Sequence, residues 1–148
     1  MRIGPAEFRW GERTYIMGVI NTSPDSFSGD GLADADAAVA QAHRMAEEGA
    51  DLLDVGGQST RPGANKTEAG FDEISPAEEV ARVAPVIARI RRELPDMPMS
   101  VDTYKPAVAQ AALDAGAHML NDIWGFRRDP QIARIAARGG VPAVAMHN

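Results

Sequence analysis

The sequence contains no cysteine, few aromatic residues and no apolar run as long as a membrane span. The absence of cysteine excludes disulfides, thiolate nucleophiles and zinc–thiolate sites. No stretch approaches the ~20 apolar residues that a membrane-spanning helix needs, and no signal peptide pattern opens the chain. We therefore expect a globular protein of the cytoplasm that has no membrane partner.

An excess of positive charge is also missing, because the 148 residues carry a net charge of -6. Nucleic-acid-binding surfaces are usually basic, so we expect no nucleic-acid partner. Charged residues at 24% and hydrophobic residues at 45% are ordinary for a globular protein. The length suits one domain with a sizeable core, and we expect residues 1–148 to form it.

Apolar runs and amphipathic segments alternate along the chain. The second helix has the clearest start signal, since Ser75-Pro76-Ala77-Glu78 combines a capping box with proline at the first helical position. A short hairpin around Gly11-Glu12 is also predicted. Five strands are predicted, at 15–20, 52–55, 99–102, 118–123 and 143–146. Four helices are predicted, at 32–48, from Ser75 to Pro95, at 106–116 and at 130–139.

Strands that alternate with helices predict an α/β protein with a parallel sheet, and two architectures fit. Five strands in this length favour a flavodoxin-like open sheet, because a (β/α)8 barrel needs about 250 residues. The strand ends favour the barrel, which gathers all of them around one pit, whereas an open sheet concentrates its site at one switch point. The polar strand ends are Asn21, Asp54, Asp102, Asn121-Asp122 and His147-Asn148.

Four stretches share an order and a separation that are typical of one family. They are MGVINTSPDSFS from Met17, GGQSTRPG from Gly56, SVDT from Ser100 and LNDI from Leu120. Together they resemble dihydropteroate synthase, from about residue 14 to residue 148. The first two stretches are long and specific, whereas the last two are informative only in combination with them.

The resemblance implies a transferase of folate biosynthesis. The family joins 6-hydroxymethyl-7,8-dihydropterin pyrophosphate to 4-aminobenzoate, releases pyrophosphate, usually uses Mg²⁺ and is inhibited by sulfonamides. It also implies a (β/α)8 TIM barrel, of which this chain would supply about the first five strands, and a homodimer when complete. The 148-residue domain would then be incomplete at its C-terminus and, by itself, inactive.

The residues at two strand ends suit a pterin ring, which presents a fixed row of donors and acceptors much as guanine does. A carboxylate can accept two N–H bonds, and an amide can both donate and accept. Asp102 and Asn121 end neighbouring predicted strands and can reach one ring. The resemblance assigns both to the pterin, and it assigns Met146 to the wall of the pterin pocket.

The leaving pyrophosphate needs donors and positive charge. The resemblance places Asn21 as a ligand of Mg²⁺ or a donor to a phosphate oxygen, because Mg²⁺ takes few protein oxygens. It places Thr60, Arg61 and Pro62 beside the pyrophosphate and the aminobenzoate, and Phe27 near the aminobenzoate. Asn21 and Arg61 are the predicted catalytic residues.

Two other readings stay open. A methyltetrahydrofolate-corrinoid methyltransferase shares the barrel and the pterin-reading Asp and Asn, but does not usually carry the STRPG and PDSFS stretches. An inactive fragment that binds pterin weakly is the non-enzymatic alternative. Gln58 stands where the family often has glutamate, and the sequence does not explain that change. The family's residues beyond Asn148 include further partners for the pterin and the pyrophosphate.

Overall fold

The computed structural model describes residues 1–22, 31–58 and 73–147, and for residues 31–34 it describes the backbone alone. Five strands form one parallel sheet, which confirms the predicted α/β class. These strands are β3 (Met17–Asn21), β4 (Leu52–Gly56), β5 (Met99–Asp102), β6 (Met119–Asp122) and β7 (Ala143–Ala145), preceded by the short strands β1 (Arg2–Ile3) and β2 (Ala6–Glu7). The helices are α1 (Gly31–Glu47), α2 (Pro76–Glu93), α3 (Pro106–Ala115) and α4 (Gln131–Gly139).

The strand order decides between the two predicted architectures. The sheet runs β3-β4-β5-β6-β7, so every new strand is added on the same side of the one before it. A flavodoxin-like sheet must reverse direction once to create its switch point. The observed order has no such reversal among the described strands, and it is the order of a (β/α)8 barrel.

One face of the sheet forms the main core with the helices. Along each strand alternate residues point to this face, because the side-chain period of a strand is two. Val83, Ile87 and Ile90 of α2 are fully buried against it. The strand residues of this core are Ile20, Leu53, Val55, Met99, Val101 and Leu120.

Helix α2 begins where the sequence predicts. The Ser75 hydroxyl accepts a hydrogen bond from the Glu78 N–H at 3.2 Å, and Pro76 occupies the first helical position. The Glu78 carboxylate pairs with Arg82 four residues further on. Among the described residues, none of the helices is long and apolar enough to cross a membrane.

A hairpin covers the amino-terminal end of the other face, which we call the inner face. Ile3 and Phe8 pack there against Leu52 and Met119. The predicted hairpin within residues 7–15 is therefore wrong, since the paired strands are β1 and β2 and the turn at Gly11-Glu12 closes only an isolated bridge. The alternation reflects ring packing instead, because the rings of residues 8, 10 and 15 lie 4.8–5.4 Å apart.

Candidate active site

Three of the predicted site residues lie in one row across the sheet. Asn21 of β3 pairs with Gly56 of β4, Gly56 pairs with Asp102 of β5, and Asp102 pairs with Asn121 of β6. Paired residues of parallel strands point to the same side of the sheet, so this row lies on the inner face. The row stands at the carboxyl ends of the strands, where parallel α/β sheets hold their ligands.

Gly56 leaves a gap in the middle of this row. A Cβ atom at Gly56 would lie 3.8 Å from Asn21 Oδ1 and 3.8 Å from Asp102 Oδ2. These are ordinary contact distances, so the amide oxygen and the carboxylate oxygen both border the position that a side chain at residue 56 would occupy.

The Asn121 amide is buried and only partly hydrogen-bonded. Its Nδ2 donates to Asp54 Oδ2 at 3.1 Å, which fixes the orientation of the amide plane. Its Oδ1 is buried and, within the described part of the chain, has no hydrogen-bond partner. Buried acceptors without partners are uncommon in native structures because each costs about 1–3 kcal/mol. The orphaned oxygen is therefore a candidate acceptor for a hydrogen bond from a ligand.

Asp54 supports this arrangement, and the sequence did not identify it as a site residue. It is buried, it accepts a hydrogen bond from Ser100 Oγ at 2.5 Å, and it holds Asn121 in place. Burial raises the pKa of Asp54, although the bonds from Ser100 and Asn121 oppose that rise. The prediction that Asp54 ends its strand is wrong, because β4 continues to Gly56 and places Asp54 one layer deeper on the inner face.

The Asp102 carboxyl stands among other acids. Burial, followed by the negative charges of Asp54, Glu79 and Asp122, raises the pKa of Asp102 to about 7. No donor in the described part of the chain opposes that rise. Near neutral pH the group therefore exists in both protonation states. A ligand that offers two N–H groups selects the ionised form and takes the place of the missing donors.

The remaining predicted site residues fall into two groups. Met146 follows β7 at the same edge of the sheet, and its N–H donates to the Asp122 carbonyl at 3.1 Å. It stands two residues beyond Val144, which is the pairing partner of Asn121. The other four, Phe27, Thr60, Arg61 and Pro62, lie outside the described residues.

A family model described as "Pterin binding enzyme" matches residues 17–148. The chain belongs to the pterin-binding enzyme family. The matched range begins at the first residue of β3 and includes every strand of the parallel sheet.

The pterin-binding enzymes that resemble this chain are dihydropteroate synthases. The chain is 49% identical over 149 aligned residues to dihydropteroate synthase of Clostridium beijerinckii, an alignment that covers 100% of this chain and 52% of the relative. A Clostridium difficile dihydropteroate synthase crystallised in the presence of pteroic acid is 44% identical with a TM-score of 0.87, over 96% of this chain and 51% of that chain. A Xanthomonas albilineans enzyme with 4-aminobenzoic acid is 46% identical with a TM-score of 0.80, over 92% and 48%.

The chain thus spans about half the length of the relatives it matches. Its five strands correspond to part of their TIM barrels, which confirms the predicted fold class. The corrinoid methyltransferase reading loses its support, because relatives at this level of identity are synthases.

The resemblance in sequence implies a Mg²⁺ ion. Among the described residues, no group of three or more His, Asp or Glu side chains is placed to hold a metal ion. Mg²⁺ usually takes one or two protein oxygens and completes its shell with water and substrate phosphate. Asn21 Oδ1, beside the gap at Gly56, fits that role.

Proposed function

We propose that the chain provides the pterin-binding part of a dihydropteroate synthase, a transferase of folate biosynthesis. The reaction condenses 6-hydroxymethyl-7,8-dihydropterin pyrophosphate with 4-aminobenzoate and releases pyrophosphate. The observation that carries this proposal is the row across the inner face, in which the Asp102 carboxyl and Asn121 Oδ1 stand side by side and have no hydrogen-bond partner among the described residues.

The pterin ring matches this pair of acceptors. Its amino group and ring N–H can both donate to the Asp102 carboxylate, and a further donor can reach Asn121 Oδ1. Asp54 holds the Asn121 amide in the orientation that turns this oxygen towards the ligand. Binding at these points fixes the ring and so fixes the position of the methylene carbon that is attacked.

The rest of the site handles the leaving group and the amine. Asn21 would hold Mg²⁺ or donate to a phosphate oxygen, and the cation would neutralise the charge that develops on the pyrophosphate. Thr60 and Arg61 would donate to the same groups, and Pro62 and Phe27 would line the aminobenzoate side. Met146 would form a wall of the pterin pocket. These roles come from the resemblance.

No described residue is needed as a strong nucleophile or general base. The arylamine attacks the methylene carbon, the C–O bond to pyrophosphate breaks, and the amine loses a proton. Catalysis then comes from holding the pterin, placing the amine and stabilising the leaving group. Such a mechanism suits a site in which the described polar groups serve mainly as hydrogen-bond acceptors for a ligand.

Two further properties belong to the proposal. A homodimer and a cytoplasmic location are typical of the synthases that the chain resembles, and we propose both. The chemistry of the ligands gains support from the relatives, since one solved structure contains 4-aminobenzoic acid and another was obtained in the presence of pteroic acid.

A product assay tests the proposal. Because the chain spans half of its relatives, we use it followed by the second half of the Clostridium beijerinckii enzyme, which we call the joined protein. With the pterin pyrophosphate, 4-aminobenzoate and Mg²⁺ we expect dihydropteroate and its suppression by a sulfonamide. The second half alone is the control and should form no product. A folded joined protein that binds the pterin pyrophosphate but forms no product would contradict the proposal.

A further inference from the structure

A buried lysine holds together two distant points of the backbone. Lys105 is nine-tenths buried, and its ammonium group donates to Gln58 Oε1 at 2.5 Å, to Glu79 Oε2 at 2.6 Å and to the Ile74 carbonyl at 2.7 Å. A lysine ammonium has three N–H donors, so every donor is used. Gln58 and Ile74 are sixteen residues apart in sequence, but they share this one cation.

The partners of Lys105 are themselves fixed. Glu79 is almost completely buried on α2, and its second oxygen accepts a hydrogen bond from Thr103 Oγ1 at 2.8 Å. Thr103 Oγ1 also accepts from the Lys105 N–H at 3.2 Å. The ion pair is thereby tied to the end of β5, directly after Asp102. The lysine is held from both sides and has little freedom to move.

Gln58 and the residues around Ile74 make additional contacts with the same corner. Gln58 Oε1 also accepts from the Ile74 N–H at 3.3 Å, and Gln58 Nε2 donates to the Tyr104 hydroxyl at 3.1 Å. Glu73 forms an ion pair with Arg128, whose guanidinium lies 4.5 Å from the centre of the Tyr104 ring. Gln58 and Ile74, the residues on either side of segment 59–72 that we call its two ends, are therefore attached to the β5–α3 corner.

Stability alone does not account for this network. Apolar residues of similar volume often replace a buried ion pair without loss of stability, because the two charges must be desolvated. The network instead fixes the positions of Gln58 and Ile74, the two ends of segment 59–72, beside the Asp102 row. That segment contains Thr60 and Arg61.

We propose that Lys105 is a positioning residue of the synthase site, which joins the two ends of segment 59–72 to each other and to the end of β5. This inference rests on the proposed function for its effect on catalysis. The attachment of the two ends of segment 59–72 does not depend on that function. Lys105 acts through Gln58, Glu79 and the Ile74 carbonyl. It does not touch substrate.

The same network explains the amide at position 58. Lys105 and Glu79 already form one buried cation and one buried anion, so a neutral Gln58 leaves the cluster balanced. Its amide also supplies the N–H that Tyr104 accepts, which a carboxylate cannot. A glutamate here would add a second negative charge beside the single lysine.

Two variants test the inference. Lys105→Met combined with Glu79→Gln removes both charges together, so that no unpaired charge stays buried. Gln58→Leu is the milder variant, because it leaves the Lys105–Glu79 pair intact and detaches only one end. Arg89→Met is the matched control, since it removes an ion pair between α1 and α2 that lies away from the site.

The first measurement is hydrogen exchange on the joined protein. In both variants we expect the Ile74 amide to exchange at least about tenfold faster, because its acceptor on Gln58 is displaced or lost. The Leu120 amide, which donates to the Pro142 carbonyl within the sheet, should be unchanged. The Arg89→Met control should alter neither.

The second measurement is steady-state kinetics of the joined protein. We expect kcat/KM for 4-aminobenzoate to fall about 10- to 100-fold in both variants, as for other small misplacements of catalytic groups. In Gln58→Leu the affinity for a pterin without pyrophosphate should be unchanged, since Asp102, Asn121 and the Glu79 charge that acts on Asp102 are all retained. A general loss of structure would lower both values together.

The two measurements separate the inference from the proposed function. If the unaltered joined protein makes no dihydropteroate, the proposed function fails, while the exchange data still decide whether Lys105 holds the segment ends. Folded variants with unchanged exchange at Ile74 would overturn the inference. Faster exchange at Ile74 with unchanged kcat/KM would also overturn it, because the attachment would then have no role in positioning.

Discussion

At the scale of single residues, the inner face concentrates carboxyl groups that act on one another. Asp102 experiences the charges of Asp54, Glu79 and Asp122, and of these only Glu79 is neutralised by a lysine. Ionising Asp102 beside these charges costs free energy in the folded protein, so the carboxylate does not stabilise the fold. We expect its role to be in binding. The burial of Asp102 among acids therefore has a measurable consequence for stability.

Replacing Asp102 by asparagine should stabilise the protein at high pH. The folded-state pKa of about 7 lies above the usual value near 4, so the native state binds more protons than the unfolded state between those limits. Stability therefore falls as pH rises through this window, and the asparagine variant escapes that loss. Urea unfolding should show a gain of about 2–4 kcal/mol at pH 8.

The same comparison at pH 4.5 provides the control. Asp102 is largely protonated in the folded protein there, so the two proteins should differ little in free energy of unfolding. A gain of equal size at pH 4.5 and pH 8 would contradict the account, because it would not arise from ionisation.

Asp54→Val should weaken pterin binding. We expect Asp54 to act through Asn121 and not by contacting the ligand. The change removes the acceptor that orients the Asn121 amide while keeping similar volume. We expect the affinity for a pterin to fall about tenfold, the cost of about one hydrogen bond. Titration calorimetry measures it. An unchanged affinity in a folded variant would show that Asn121 needs no such support.

Sequence reasoning at this scale succeeds in placing residues within strands. Asp102 and Asn121 lie near the carboxyl ends of neighbouring strands, as predicted, because each follows a short apolar run. The prediction that Asp54 ends its strand was wrong, because nothing in the LLDV run shows that β4 continues through Gly56. Lys105 was missed entirely, since its three partners come from separate parts of the chain and only the fold brings them together.

At the scale of elements, the passage from β4 towards α2 depends on close approach of the backbone. A Cβ atom at Gly57 would lie 2.8 Å from Glu79 Cγ and 2.8 Å from Val83 Cγ1. Both side chains are buried on α2, so neither can move away freely. Glycine at position 57 thus sets how closely the end of β4 approaches the helix that carries Glu79.

Gly57→Ala should therefore destabilise the fold. Overpacking of this kind costs about 1–3 kcal/mol, and thermal or urea unfolding measures it. Gly139→Ala, at the end of α4, is the matched control. A Cβ atom at Gly139 would meet Leu113 of α3 at an ordinary contact distance of 3.4 Å. Equal unfolding free energies for the two variants would contradict the close-approach argument.

Elements with local signals were predictable and those without were not. Ser75 and Pro76 mark the start of α2 by chemistry that acts within one turn, so its boundary is correct. The hairpin was misplaced because Phe8, Trp10 and Tyr15 pack together as a cluster of rings, a tertiary arrangement that the local sequence does not distinguish from strand pairing. The turn between β1 and β2 contains Gly4 at φ +53, packed against the His118 ring, a tertiary contact that the sequence does not reveal.

At the scale of the whole molecule, both edges of the parallel sheet expose apolar side chains. Met17 and Val19 of β3 and Val144 of β7 are each more than a third exposed, and they belong to the inner face. In a (β/α)8 barrel such residues pack in layers inside the closed wall. The strand order and these exposed edges together identify five neighbouring strands of a barrel.

The 148-residue chain by itself should show no synthase activity and should self-associate. Five strands cannot close a barrel of eight, and exposed strand edges with apolar neighbours pair readily with other chains. Light scattering gives the mass, and the dihydropteroate assay with Mg²⁺ gives the activity, with the joined protein as the positive control. A monomer of the chain alone that forms dihydropteroate would contradict this prediction.

The row at the carboxyl ends of the strands is proposed to bind a pterin through Asp102. Calorimetric titration of the joined protein with a pterin, with and without Asp102→Asn, measures the contribution of this carboxylate. We expect a loss of about 2–4 kcal/mol in binding free energy, because a charge-assisted two-point contact disappears. Asp114→Asn, on the exposed surface of α3, is the control and should bind normally. A folded Asp102→Asn variant with undiminished affinity would contradict the claim.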